Sequence, residues 1–120
     1  MYKIRFYKDR RGIRPVADYI KGLAGKKDKD SRIKITKIRE YLLTLQKGGT
    51  QIGEPFIKHL KGDIWELRPL KDRILFAAWD GKSFILLHHF IKKTQKTPPH
   101  EIEQAKRNLS DMRERGFDDE

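Results

Sequence analysis

The amino-acid sequence predicts an α+β fold: a largely antiparallel four-stranded sheet with two N-terminal helices and one C-terminal helix. Three observations predict it. Ile35, Ile38, Leu42 and Leu45 recur three, four and three residues apart, the stripe of an amphipathic helix. The runs "DIWELR", "RILFAAW" and "KSFILLHHF" then follow one another across short breaks, as hairpin-linked strands do. A proline pair, Pro98 and Pro99, opens another helical stripe. Strands grouped together, rather than alternating with helices, favour α+β over parallel α/β.

Each element has its own warrant. In "YKIRFY", Ile4 and Phe6 face one way and Lys3 and Arg5 the other, a first strand. Pro15 suits the first turn of a helix carrying Val16, Tyr19, Ile20 and Leu23, which Gly25 ends. The link "GKKDKD" is charged and solvated, and Asp30 or Ser31 caps the second helix. "KGG" stops that helix, and "TQIGEPFIKHLKGD" reads as an irregular connector. In "DIWELR", Trp65 and Leu67 are the core pair, which puts Glu66 and Arg68 on the opposite surface. Arg73 opens the next strand after the bend "PLKD", close to Arg68 at one end of a hairpin. An arginine so exposed is expected to cost little stability when removed. Asp80-Gly81 signals a tight hairpin. In the last strand His88 shares parity with Leu86 and Phe84, and His89 with Leu87 and Ile85, so the two histidines face opposite sides. Thr97 or Pro98 starts a final helix bearing Ile102, Ala105, Leu109 and Met112, and residues 115–120 form a frayed tail. With no repeat or low-complexity block, residues 1–120 read as one domain.

Composition narrows the chemistry. Lys and Arg number 28 against 17 Asp and Glu, a net charge of +11, which calls for an anionic partner: nucleic acid, an anionic membrane or an acidic protein. Without cysteine there is no disulfide and no thiolate metal site. No stretch reaches about 18 apolar residues and no signal peptide is visible, so the expectation is a soluble, cytoplasmic protein with no membrane partner. His59, His88, His89 and His100 lack paired ligand spacing, so no metal or other cofactor is expected. A Gly-x-Ser-x-Gly elbow and a phosphate-cradling glycine loop are both absent. What remains is Arg, Lys, His and Glu, a set suited to an anionic transition state. Lys92, Lys93 and Lys96 crowd into five residues at a strand end, beside Arg68 and Arg73. That cluster reads either as a cationic cleft or as a solvated loop, and a non-catalytic basic RNA-binding module is the main rival to an enzyme.

The segment "IWELRPLKDRILFAAWDGKSFILLHHFIKKTQKTPPHEIEQAKR" resembles the core of the phage-derived branch of the RelE/HigB toxin family. The Glu-Leu-Arg strand, the Arg opening the next strand and "FIKKTQKTPPHEIEQA" carry the likeness. The resemblance implies the toxin of a type II toxin–antitoxin system: a metal-independent endoribonuclease that cuts mRNA in the ribosomal A site of the 70S particle and inhibits translation. It implies attack by the RNA 2′-hydroxyl on the adjacent phosphate. It further implies a cognate antitoxin, a HigA-like helix-turn-helix protein, held with the toxin in a heterotetramer. By the same resemblance Arg68 and Arg73 stabilise the phosphate, and Lys93 is the basic or acid-donating residue after the last strand. "GEPFIKHL" is similar to the "PEPLKH" run of YoeB-type relatives, which makes Glu54 a general-base candidate. His59 falls near a catalytic histidine of HigB relatives. Lys58, Glu66, His88, Lys92 and Lys96 are the expected RNA contacts. The chain departs from the pattern just after the last strand, where "KKTQK" stands in place of a late tyrosine or histidine.

Overall fold

Five strands rather than four build the sheet of the computed structural model, which describes residues 1–119. The elements are β1 (Lys3–Phe6), α1 (Pro15–Ala24), α2 (Lys29–Gly48), a 3-10 turn (Gly49–Ile52), β2 (Ile57–Lys61), β3 (Ile64–Leu67), β4 (Asp72–Asp80), β5 (Ser83–Ile91) and α3 (Pro99–Arg115). The sheet order is β1-β5-β4-β3-β2, with β1 parallel to β5 and every other pair antiparallel. The additional strand is β2, inside the stretch expected to be an irregular connector. Ile57 is its one buried residue, and Lys58, His59 and Lys61 are exposed. It lies at the sheet edge, where charge guards an open ladder and apolar alternation is not required.

The helix starts follow local chemistry. Pro15 opens α1 as expected, with Gly25 closing it. The cap of α2 lies earlier than expected, at Asp28, whose carboxylate accepts the Ser31 N–H at 3.0 Å. Pro98 flanks α3, which begins at Pro99. The Asp80 carboxylate holds the β4–β5 turn, accepting the Lys82 N–H and the Ser83 hydroxyl at 2.8 Å each.

Both faces of the sheet are covered. Val16, Leu23, Ile35, Ile38 and Leu45 of α1 and α2 pack on Leu67, Ile74 and Phe76. Ala105, Leu109 and Met112 of α3 pack on the other face, against Leu75, Ala77 and Ile85. Glu66 alternates away from Trp65 and Leu67, as expected, but that side lies under α3 and its approach loop, and Glu66 is 1% exposed. The tail expected to fray packs back as far as it is described: Phe117 meets the Trp79 ring at 5.1 Å, and Asp119 pairs with Arg5 at 3.0 Å. Glu120 lies outside the described residues.

One irregularity positions the end of β5. Leu75 pairs with His88 but Phe76 pairs with Leu86, so Leu87 is an extra residue in β5, a bulge. Leu87 and the ring of His88 therefore both turn toward α3, where His88 meets Glu101, and His89 turns toward α1 and Tyr19. This reverses the expected parity of both histidines. Asn108 of α3 anchors the bulge by donating its Nδ2–H to the Leu87 carbonyl at 2.8 Å in a buried contact. An Asn108→Ala change leaves that carbonyl without its donor and should cost about 1–3 kcal/mol. Chemical denaturation of the two proteins measures it, and an unchanged midpoint would mean that the bulge needs no side chain to hold it.

Candidate functional site

A buried carboxylate organises the cationic end of the sheet. Glu66, in β3, faces the α3 side of the sheet. Its Oε1 lies 3.3 Å from Arg68 Nε and 3.8 Å from Arg73 Nε, while Oε2 accepts the Thr97 hydroxyl at 2.5 Å. Thus β3, the start of β4 and the loop before α3 all meet on one anion. Thr97, one of the two residues expected to start the helix, donates its hydroxyl here, and Pro98 stands at the helix start instead. Lys92 continues the pairing of β5, its N–H bonding the Lys71 carbonyl at 2.8 Å. Glu66, Arg68, Arg73, Lys92, Lys96 and Thr97 line one narrow polar cavity of ≈ 10 Å³. That is room for about one water, so an incoming anion meets the outer ends of the cations at its mouth.

The two arginines differ. The Arg68 side chain is 22% exposed, and its Nη1 also contacts Glu54 at 3.5 Å. Arg73 is buried, against the expectation of an exposed rim. Its Nη1 donates to the Leu70 carbonyl at 2.8 Å and the Asp72 carbonyl at 2.9 Å. Those bonds close a turn in which Leu70 takes a left-handed φ of 56°. Burial pushes the Arg73 guanidinium below its usual pKa; Glu66 opposes that shift and Arg68 adds to it.

The remaining candidates divide. Glu54 stands at the rim through its contact with Arg68. Lys58 pairs in register with Glu66, on the same face of the edge strand. Lys93 points elsewhere than Lys92 and lines an adjoining cleft with His89, His100 and Glu101. His88 is held by Glu101 at 2.8 Å, outside the arginine cavity. His59 is not brought into the group: its ring lies tilted against that of Trp65 at 4.8 Å, on the α2 side, with Nε2 at 2.7 Å from the Gly62 carbonyl. The even spacing of β2 decides this, since Lys58 and His59 must face opposite ways.

Sequence reasoning missed a second charged network on the opposite face. Asp72, next to Arg73 and 1% exposed, accepts the Tyr19 hydroxyl at 2.6 Å and lies 3.0 Å from His89 Nε2. Lys34 of α2 lies 3.9 Å from the same oxygen, and the Tyr19 and His89 rings stack at 3.6 Å. The other carboxylate oxygen, Oδ2, is buried without a hydrogen bond. Burial opposes ionisation of Asp72, but the bonds from His89 and Tyr19 and the charge of Lys34 prevail and lower its pKa. Burial and then the Asp72 bond raise that of Tyr19. No short-range signal marks this network, because its members come from α1, α2, β4 and β5. Among the described residues, no group of three or more His, Cys, Asp and Glu is placed to hold a metal, and no helix is long and apolar enough to cross a membrane.

Two outcomes are expected. Arg73→Ala leaves the Leu70 and Asp72 carbonyls without this donor, the second in a buried contact, and removes one partner of Glu66, so it should lose about 1–3 kcal/mol, not the few tenths expected of a surface arginine. Thermal melting tests this, and a wild-type midpoint would return Arg73 to the surface class. Because the folded pKa of Asp72 is depressed, its contribution to stability is complete above the ordinary value of 3.8 and is lost as pH falls below it. Acid unfolding followed by circular dichroism should therefore show a shallower pH dependence below that point in Asp72→Asn. Superimposable slopes would remove Asp72 from the acid response.

Residues 27–110, from the start of α2 into α3, match the model of a family described as phage derived protein Gp49-like. That stretch contains every residue of the arginine cavity. A search of curated proteins gives no significant match.

Proposed function

The chain belongs to the phage-derived Gp49-like family, and on that premise we propose that it is a RelE/HigB-type toxin acting as a metal-independent endoribonuclease. The observation that carries the reading is the arginine cavity. Arg68 and Arg73 pair with one buried carboxylate, Glu66, that holds them before any ligand arrives, and Lys92 and Lys96 line the same cavity. Preorganised cations stabilise the charge that develops on a phosphorane without reorganising at the moment of reaction. RNA is the substrate that supplies its own nucleophile, the 2′-hydroxyl. Attack on the adjacent phosphorus leaves a 2′,3′-cyclic phosphate and a 5′-hydroxyl.

The division of labour follows from exposure. Arg68, with its guanidinium at the cavity mouth, clamps phosphate, and Lys92 and Lys96 add charge from the facing loop. Arg73 holds the turn and Glu66 in place from behind. Glu54 at the rim loosens from Arg68 when phosphate binds. In the cell the substrate is mRNA in the ribosomal A site, and the outcome is arrested translation in the cytoplasm. The net charge of +11 supports both an RNA substrate and an antitoxin that masks the basic surface. The antitoxin is a HigA-like helix-turn-helix protein, bound as a heterotetramer.

The purified protein, added to programmed ribosomes, should generate mRNA fragments with cyclic-phosphate ends. Arg68→Ala should reduce that rate by about 10²–10³-fold with the fold intact. RNA binding without such ends would establish the rival, a non-catalytic binding module. Full activity in folded Arg68→Ala would remove the clamp role.

A further inference from the structure

We propose that His89, oriented by Asp72, takes the proton from the attacking 2′-hydroxyl, and that the reacting ribose sits in the cleft beside the arginine cavity. The inference rests on the ribonuclease reading and supplies the proton acceptor that fixed guanidinium and ammonium groups do not provide.

Three observations carry it. The first is the tautomer. His89 Nε2 lies 3.0 Å from a carboxylate oxygen of Asp72, which can only accept, so Nε2 carries a hydrogen and, in the neutral ring, Nδ1 is the atom with the lone pair. An aspartate that orients a histidine and then stabilises its cation is the arrangement of the Ser-His-Asp triad, in which imidazole serves as a general base. The second is rigidity. The ring is stacked on Tyr19 at 3.6 Å, and Tyr19 is itself bonded to Asp72, so α1, β4 and β5 together fix one ring orientation. The third is position. His89 lines a cleft of ≈ 560 Å³ together with Lys93, His100 and Glu101, and this cleft shares Phe90 and Thr94 with the arginine cavity. No other histidine combines these features. His88 turns to Glu101 and lines neither cavity, and His59 is on β2 with Trp65.

The step balances within this cleft. His89 Nδ1 accepts the 2′-hydroxyl proton as the 2′-oxygen bonds to phosphorus. The bond from phosphorus to the 5′-oxygen breaks, and that oxygen takes a proton from a cationic side chain of the same cleft, Lys93 or His100. The charged and titratable groups facing His89 are Asp72 from β4, Tyr19 from α1, Lys34 from α2, and Lys93, His100 and Glu101 around the cleft.

His89→Gln tests the assignment, because glutamine keeps an N–H for Asp72 while removing the basic atom. The measurement is cleavage rate against pH on programmed ribosomes, scored by cyclic-phosphate ends, together with RNA affinity and thermal melting. The expected result is a rate lower by about 10²–10⁴-fold and loss of the acidic limb of the pH profile, with RNA affinity retained. His89→Ala provides a second arm: added imidazole should restore part of the cleavage, which no structural role of His89 would produce. A folded His89→Gln protein with the wild-type rate and pH profile overturns the proposal, as does His89→Ala that imidazole leaves inactive. A wild-type protein that never yields cyclic-phosphate ends overturns the ribonuclease reading itself, and this inference with it.

Discussion

The carboxylate of Glu66 is the constraint around which the cationic end of the molecule is arranged. A buried carboxylate demands compensation, and this one obtains it from Arg68, Arg73 and Thr97, which arrive from three separate stretches of chain. The dependence is mutual. Arg68 and Arg73 would repel each other across the hairpin end without an anion between them. Lys92 and Lys96 would add to that repulsion from the loop. Glu66 therefore allows a positively charged chain to concentrate charge where a ligand can use it.

The same logic orders the two faces of the sheet. On the α3 side, cations are gathered around an anion and their outer ends are left at a cavity mouth. On the α1–α2 side, a carboxylate is gathered in by a tyrosine, a histidine and a lysine. The first arrangement concentrates positive charge, and the second orients an imidazole. Their cavities adjoin because β5 extends beyond its pairing with β1, which stops at Leu86, and so leaves its last residues at an open edge.

What the sequence revealed depended on how local the cause was. The stripe through Ile35, Ile38 and Leu45 reports α2 directly, because a 3.6-residue repeat is written into neighbouring residues. The approach of Arg68 to Arg73 was legible too, since a short bend between antiparallel strands permits little else. Edge strand β2 was hidden, because water rather than a second layer faces Lys58, His59 and Lys61 and no alternation is needed. The burial of Glu66 was hidden because α3, more than thirty residues later, covers that face. The orientation of His88 and His89 followed parity on paper. A bulge secured by Asn108, 21 residues beyond Leu87, reversed it. The Asp72 network was wholly non-local, with Tyr19 53 residues away in the chain.

Asp72 and Arg73 are consecutive residues of one strand, and this adjacency locks the alignment of β4. A slip by one position would turn the arginine toward Lys34 and the aspartate toward Glu66, placing like charges together on both faces at once. Ordinary strands resist slippage because apolar side chains would meet water, a penalty spread over the whole length. Here two opposite charges add an electrostatic key at the strand's first two residues. The alignment is set at the end where the two charged networks lie, and a one-residue insertion or deletion there would disrupt both together.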